Sequence, residues 1–383
     1  MVFGWGLKIC KGRADSYICL LCCCCCCCRY PHDGDLMRLV KEELAIINQY
    51  GAIRIDNVPH HLCQVAEIER DVLLRPILQE YRHAKGDSGG FDAYSSPISY
   101  DDYLKRAMWF EDIIHKTLGL QKMAPHERQE ATFQYFCQRV GPQEHRGSAC
   151  SLFPAYANDI ELLNLNWPKR CSPICGLPKH QSSLLNQFAR QSELAGVTTS
   201  MAYVRTLLTT FCWHVEDLGM MSASFTIRGD DTEWFSIDAS QFDKLFDMIA
   251  HMASESGDPK LFNHMAVAIS PEELISKGFI ITRGLQKARS IIITAKQAYH
   301  CGFSHGTNTA LAVNFLLSSG LDSCRIMADR YKQIQRLPLF DWRRLLLSLS
   351  GRRGTPLDGN QLTAYEKIIA DELLFLNSIG IER

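Results

Sequence analysis

The sequence predicts a mainly β protein with helical additions, built as a double-stranded β-helix (a jelly-roll barrel) between helical N-terminal and C-terminal segments. Three observations predict it. Between Gly196 and Phe315, short runs of alternating apolar residues are separated by turn signals. A His-x-Glu pair, His214 and Glu216, ends one such run, and two more histidines, His300 and His305, stand on a later one; ligands gathered at strand ends suit a small barrel. Helical spacing of apolar residues brackets this region on both sides.

With 383 residues the chain can bury a substantial core. Its 41 Lys and Arg against 42 Asp and Glu leave no global basic field, so there is no strong nucleic-acid signal. Nine of the 17 cysteines fall in the first 28 residues, and Cys22 to Cys28 are consecutive. As a signal peptide this run lacks a small-residue cleavage site, because Arg29-Tyr30-Pro31 follows it. As a membrane span it is too short, since only about 12 residues separate Ser16 from Arg29 against the roughly 20 required. A functionless low-complexity tract, lipidation, and metal or redox chemistry remain open readings. The scattered later cysteines suit a reducing compartment.

Residues 1–34 read as a disordered, Cys-rich N-terminus. From 35 to about 130 the reading is mainly helical. Leu36, Leu39, Val40, Leu44 and Ile47 have helical spacing that ends near Gly51, and Ala52–Ile55 then alternates as a strand that Pro59 stops. Residues 60–125 read as helices broken by a surface loop at Gly86–Gly90. The core region spans 131–330. In it, Met221–Ile227 alternates before Gly229-Asp230-Asp231, Trp234–Ile237 follows, and Phe242, Leu245, Phe246 and Ile249 mark a helical insert. Ile291–Thr294 and Val313–Phe315 are later strands. Cys171 and Cys175 have no second pair at zinc spacing and read as ordinary cysteines. The C-terminal segment, 331–383, carries helical spacing at Trp342–Leu349 and Thr363–Leu376, with Gly351–Gly354 between them.

Residues i and i+2 of a strand share a face, so His214 and Glu216 point the same way while Val215 points oppositely. Two imidazoles and one carboxylate form the facial triad of a non-haem Fe(II) site, which leaves positions for a bidentate 2-oxo acid and dioxygen. Cys301 has the opposite parity to His300, and Cys212 shares His214's parity as a barrel-lining position. From spacing alone, either His300 or His305 completes the triad.

The motifs Thr209-Thr210-Phe211-Cys212-Trp213-His214-Val215-Glu216-Asp217 and Tyr299-His300-Cys301-Gly302-Phe303-Ser304-His305-Gly306 resemble the JmjC family of Fe(II)/2-oxoglutarate oxygenases, which includes histone lysine demethylases. Gly196-Val197-Thr198-Thr199 and Tyr156-Ala157-Asn158-Asp159-Ile160 extend the likeness, which covers roughly 130–330. The helix and strand near residue 50 are loosely similar to a JmjN segment. The tail is similar to the branch in which a helical segment and a zinc finger follow.

The resemblance implies metal ligands His214, Glu216 and His300, with a structural role for His305. It implies that Tyr156, Phe211, Ser224, Thr232, Trp234, Thr294 and Asn314 surround the cosubstrate, and that Gly196, Met201 and Tyr203 form a methyl-ammonium pocket. The implied cofactors are Fe(II), 2-oxoglutarate and dioxygen. The implied partners are a histone tail peptide or another methylated protein, together with chromatin proteins, in the nucleus; membrane lipidation through the N-terminal cysteines is the minor alternative.

Three positions depart from the family pattern: Ser224 replaces an asparagine, Met201 a tyrosine, and Thr232 the lysine that pairs with the far carboxylate of 2-oxoglutarate. Arg228 and Lys296 are the candidate replacement cations. Two function classes follow. One is an active dioxygenase that hydroxylates N-methyl groups of a histone lysine, releasing formaldehyde and succinate. The other is a catalytically impaired, JmjC-like chromatin-associated interaction protein.

Overall fold

The computed structural model describes residues 17–19, 27–29, 31, 35–79, 93–94, 96–141, 153–186, 188–256, 269–334, 336–343 and 345, and beyond these 359, 362–363, 365–367 and 369–370. Cys22 to Cys26, the expected loop at Gly86–Gly90 and the Gly351–Gly354 linker lie outside the described residues, as do parts of both expected tail helices. The described tail positions from 359 to 370 are helical.

The N-terminal part comprises β1 (Tyr17–Cys19), β2 (Cys27–Arg29), α1 (Leu36–Glu42), α2 (Leu44–Tyr50) and β3 (Ala52–Asp56). Asp35 caps α1 by accepting from the Arg38 amide at 2.9 Å. Gly51, at φ 76°, ends α2 in the left-handed conformation that glycine adopts without strain. Short strands β4 (Leu73–Leu74), β5 (Ile77–Leu78), β6 (Ala93–Tyr94) and β7 (Ile98–Ser99) then precede α3 (Tyr100–Thr117) and α4 (Pro125–Val140).

The core follows as β8 (Ala155–Glu161), α5 (Phe188–Gln191), β9 (Met201–Arg205), β10 (Thr210–His214), β11 (Met221–Gly229), β12 (Thr232–Ile237), α6 (Phe242–Ser256) and α7 (Pro271–Ser276). It continues with β13 (Ile281–Gln286), β14 (Ile291–Thr294), β15 (Tyr299–Ser304), β16 (Asn308–Phe315) and α8 (Leu321–Gln333). One sheet runs β1-β13-β12-β15-β10; the other runs β2-β3-β14-β11-β16-β9-β8-β5-β6. Together they form the double-stranded β-helix expected from the sequence.

Two expectations are corrected. The stretch 63–79 carries no helix and supplies the short strands β4 and β5. Its alternation at Leu73-Leu74 and Ile77-Leu78 is too short to register as a strand without the partners it pairs with, β7, β6 and β8. The disorder expected across 1–34 does not hold at Tyr17–Cys19 and Cys27–Arg29, which pair in parallel with β13 and β3. Those two strands would otherwise be sheet edges with open backbone groups, the natural templates for an added strand.

Alternation decides what the barrel encloses. On β11, Ala223, Phe225 and Ile227 pack outward with Ile291, Ile293, Leu311 and Val313 against the N-terminal helices. On the other sheet, Phe235, Ile237, Cys301 and Phe303 pack outward against α4 and α6. The intervening positions face inward, and many are polar: Tyr203 and Arg205, Ser222 and Ser224, Thr232 and Trp234, His300 and Ser304, Asn308 and Asn314. Burying so many hydroxyls, amides and charges is unfavourable unless they meet partners, so many of them bond to one another, as Ser222 does to Thr294 and Asn308 to Thr232 and Ser304.

Candidate metal and cosubstrate site

His214 ends β10 and stands directly opposite His300 on β15. Glu216 follows just past the strand. One ligand atom from each of these three residues lies within 4.8 Å of the others, the sole such His/Cys/Asp/Glu group among the described residues. Glu216 Oε1 is 3.4 Å from His300 Nε2. Each histidine also has Nδ1 against a backbone carbonyl two residues earlier, His214 to Cys212 at 2.7 Å and His300 to Ala298 at 3.1 Å. A carbonyl only accepts, so the proton sits on Nδ1 and each Nε2 lone pair is free for a metal. Asn314 Nδ2 donates to Glu216 Oε2 at 3.0 Å and fixes the carboxylate. Two imidazoles and one held carboxylate therefore fit a divalent iron.

Burial, and then the neighbouring His300, hold the His214 imidazole down to about 4 from an ordinary 6.5. Burial works to raise the Glu216 carboxyl, but the contacts it makes with His300 foremost, and with His214, lower it to about 2. Both residues are thus in their ligating form at neutral pH. The unfolded chain takes up each proton at higher pH than the folded one, so acid destabilises the fold, first through His214 and then through Glu216. We expect the metal-free protein to lose stability from about pH 6.5 to about pH 4, with roughly 2 kcal/mol of that loss due to His214. Urea unfolding across this range checks it: His214→Asn flattens the profile, whereas an unchanged slope contradicts the assignment.

The cavity beside these ligands measures about 380 Å³. Of the residues expected there, Tyr156, Gly196, Tyr203, Phe211, Ser224, Trp234 and Asn314 line it; Met201, Thr232 and Thr294 do not. Thr294 acts one layer back, its Oγ1 2.7 Å from Ser222 Oγ. Met201 lies behind Gly196, with Cγ 3.8 Å from where a Gly196 Cβ would stand. Thr232 is fully buried, and its hydroxyl accepts from Asn308 Nδ2 at 3.1 Å. Phe211 and Trp234 pack together with ring centres 4.5 Å apart, and the Trp234 indole N–H donates to Gln286 Oε1 at 2.9 Å.

Cys212 borders the cavity, but its side chain joins the outer core, because a register shift between Phe211 and His214 breaks the alternation. His305 stands away from the ligands, its Nε2 2.7 Å from Glu233 Oε2; Arg283 donates to the other oxygen of Glu233 at 2.8 Å. Glu233 thereby faces away from its neighbour Thr232. Cys171 and Cys175 have their sulfurs 4.0 Å apart, and they belong to no metal-binding group among the described residues.

Neither candidate replacement cation reaches the cavity. Arg228 approaches Glu67 at 3.7 Å, because a register shift after Thr226 and the turn at Gly229 break its parity with Thr232. The Lys296 ammonium donates to the Ser319 carbonyl. Arg205 lines the cavity instead, and the sequence reading passed over it. Its signal was legible: it stands two residues past Tyr203 on the same strand and so shares that residue's face. Gln79 was also missed. Its amide bridges the backbone of Thr210 at 2.7 and 2.8 Å and closes the open edge of β10.

Residues 201–315 match the family described as "JmjC domain, hydroxylase". Lysine-specific demethylase 5D of Homo sapiens is 28% identical over 178 residues, 46% of this chain and 12% of that protein. Lysine-specific demethylase rbr-2 of Caenorhabditis briggsae is 29% identical over 227 residues, 59% of this chain and 14% of that protein. The chain thus spans a small part of the length of these relatives. Among the described residues, no helix is long and apolar enough to cross a membrane.

Proposed function

We propose that this chain, whose residues 201–315 are a JmjC domain, is an Fe(II)- and 2-oxoglutarate-dependent dioxygenase that demethylates a lysine of a histone tail. The observation that carries this reading is the triad His214, Glu216 and His300, with both Nδ1 positions tied to carbonyls and the carboxylate held by Asn314. When bound, iron supplies the redox chemistry that couples decarboxylation of the 2-oxo acid to hydroxylation. The chain's own residues hold and orient. Phe211 and Trp234 give the cavity an apolar wall, and Asp159 with Glu216 gives it acidic groups beside which a methylated ammonium is welcome. The Tyr203 hydroxyl, donating to Asp159 Oδ1 at 3.1 Å, fixes one of those carboxylates. A hydroxylated N-methyl group is a hemiaminal, which breaks down to the amine and formaldehyde; succinate and carbon dioxide are the other products. In this reading the protein works in the nucleus among chromatin proteins.

The second reading, an interaction protein of JmjC fold with impaired turnover, is favoured by Thr232, an uncharged residue at the position of the family's lysine. Histone peptides carrying mono-, di- or trimethyl-lysine, incubated with iron and 2-oxoglutarate and weighed by mass spectrometry, separate the two. The first expects loss of methyl groups that requires 2-oxoglutarate and disappears in Glu216→Ala. Unchanged peptides across all methylated histone lysines would favour the second.

A further inference from the structure

We propose that Arg205 takes over the task of the missing lysine, binding the far carboxylate of a five-carbon 2-oxo diacid from the strand facing Thr232 across the barrel. The inference rests on reading the cavity as a 2-oxoglutarate site. Arg205 closes β9, is 4% exposed, and lines the cavity that the metal ligands line. No carboxylate pairs with it among the described residues, and its buried Nε has no hydrogen-bond partner there. A buried guanidinium without a counter-charge is strongly unfavourable, which marks a site built to receive an anion.

The side chain is also held in place for that task. Its Nη1 lies 3.4 Å from Thr232 Oγ1. The guanidinium carbon is 5.5 Å from the ring centre of Phe211 and 5.8 Å from that of Tyr203. Ser224, which lines the same cavity, has a buried hydroxyl with no partner and so offers a second polar contact. Thr232 in this account is a positioning residue. A lysine at 232 would set a second cation against Arg205, so the threonine and the arginine form one exchange, in which the charge moves from β12 to β9. The planar fork of arginine can grip a carboxylate with two N–H donors, which lysine cannot.

The test uses the full chain loaded with Mn(II), with ligand binding measured by calorimetry. The ligands are 2-oxoglutarate and 2-oxopentanoate, which has the same head and chain length but a methyl group where the far carboxylate stands. The wild type is expected to prefer the diacid by on the order of 100-fold. Arg205→Met should erase the preference while keeping 2-oxopentanoate affinity, which also reports an intact fold. Adding Thr232→Lys to Arg205→Met should restore the preference. If Arg205→Met keeps the preference, the inference about Arg205 falls and the cosubstrate reading stands. If the wild type binds 2-oxoglutarate no better than 2-oxopentanoate, or binds neither, the cosubstrate reading falls and takes this inference with it.

Discussion

Replacing His300 with alanine is expected to lower Fe(II) or Mn(II) affinity by well over 100-fold and to abolish turnover. The reason is geometric. His300 supplies one of three ligand atoms drawn to within 4.8 Å, and no other His, Cys, Asp or Glu among the described residues joins that group. Removing a group that merely orients a ligand costs about 10–100-fold in metal affinity, and losing a ligand should cost more. Asn314→Ala, which frees Glu216 Oε2, supplies the milder comparison within that 10–100-fold range. His305→Ala should destabilise the protein by stripping a partner from the buried Glu233 while leaving metal affinity near wild type. Metal titrations on the three variants check the order. Loss of the metal in His305→Ala, with retention in His300→Ala, would reverse the choice of third ligand.

Replacing Gly302 with alanine is expected to destabilise the fold by about 3 kcal/mol and to spoil the cavity as well. Gly302 lies on β15 between Phe211 on one side and Trp234 on the other. A methyl group there would overlap the Glu233 carbonyl oxygen of β12 and the ring of Phe211. The carbonyl belongs to the sheet's own hydrogen-bonded backbone and cannot rotate away, so β12 and β15 must separate. The Phe211 ring would be driven toward the Arg205 guanidinium and the space beside it. Urea unfolding gives the stability, and ligand binding on the folded fraction gives the cavity effect. A wild-type midpoint with wild-type binding would mean that the two strands are not packed as closely as described.

The barrel was legible because the longer runs of its strands alternate. Ala223, Phe225 and Ile227 against Ser222, Ser224 and Thr226 reveal an outer apolar face and an inner polar one without any knowledge of partners. His214 and Glu216 stood out by their i, i+2 spacing, although Glu216 falls just past the strand, and His300 by the motif around it. The nearness of Arg205 to Thr232 was hidden, because it runs across the barrel and not along the chain. Arg228 looks close in sequence, yet a turn and a register shift separate it from Thr232. Arg205 is 27 residues away and on the other sheet, and only folding brings its Nη1 to within 3.4 Å of Thr232 Oγ1. The non-helical stretch 63–79 escaped for a related reason: Gln79 is held by the backbone of Thr210, 131 residues later, and not by its neighbours.

The most direct test of the central claim is an anaerobic titration of the Fe(II)-loaded chain with 2-oxoglutarate, followed by metal-to-ligand charge-transfer absorption. A band that saturates at micromolar concentrations is expected, with the triad holding iron and Arg205 supplying the charge that Thr232 lacks. Retained iron with no band at millimolar 2-oxoglutarate would contradict it and leave a JmjC fold that acts through its contacts alone.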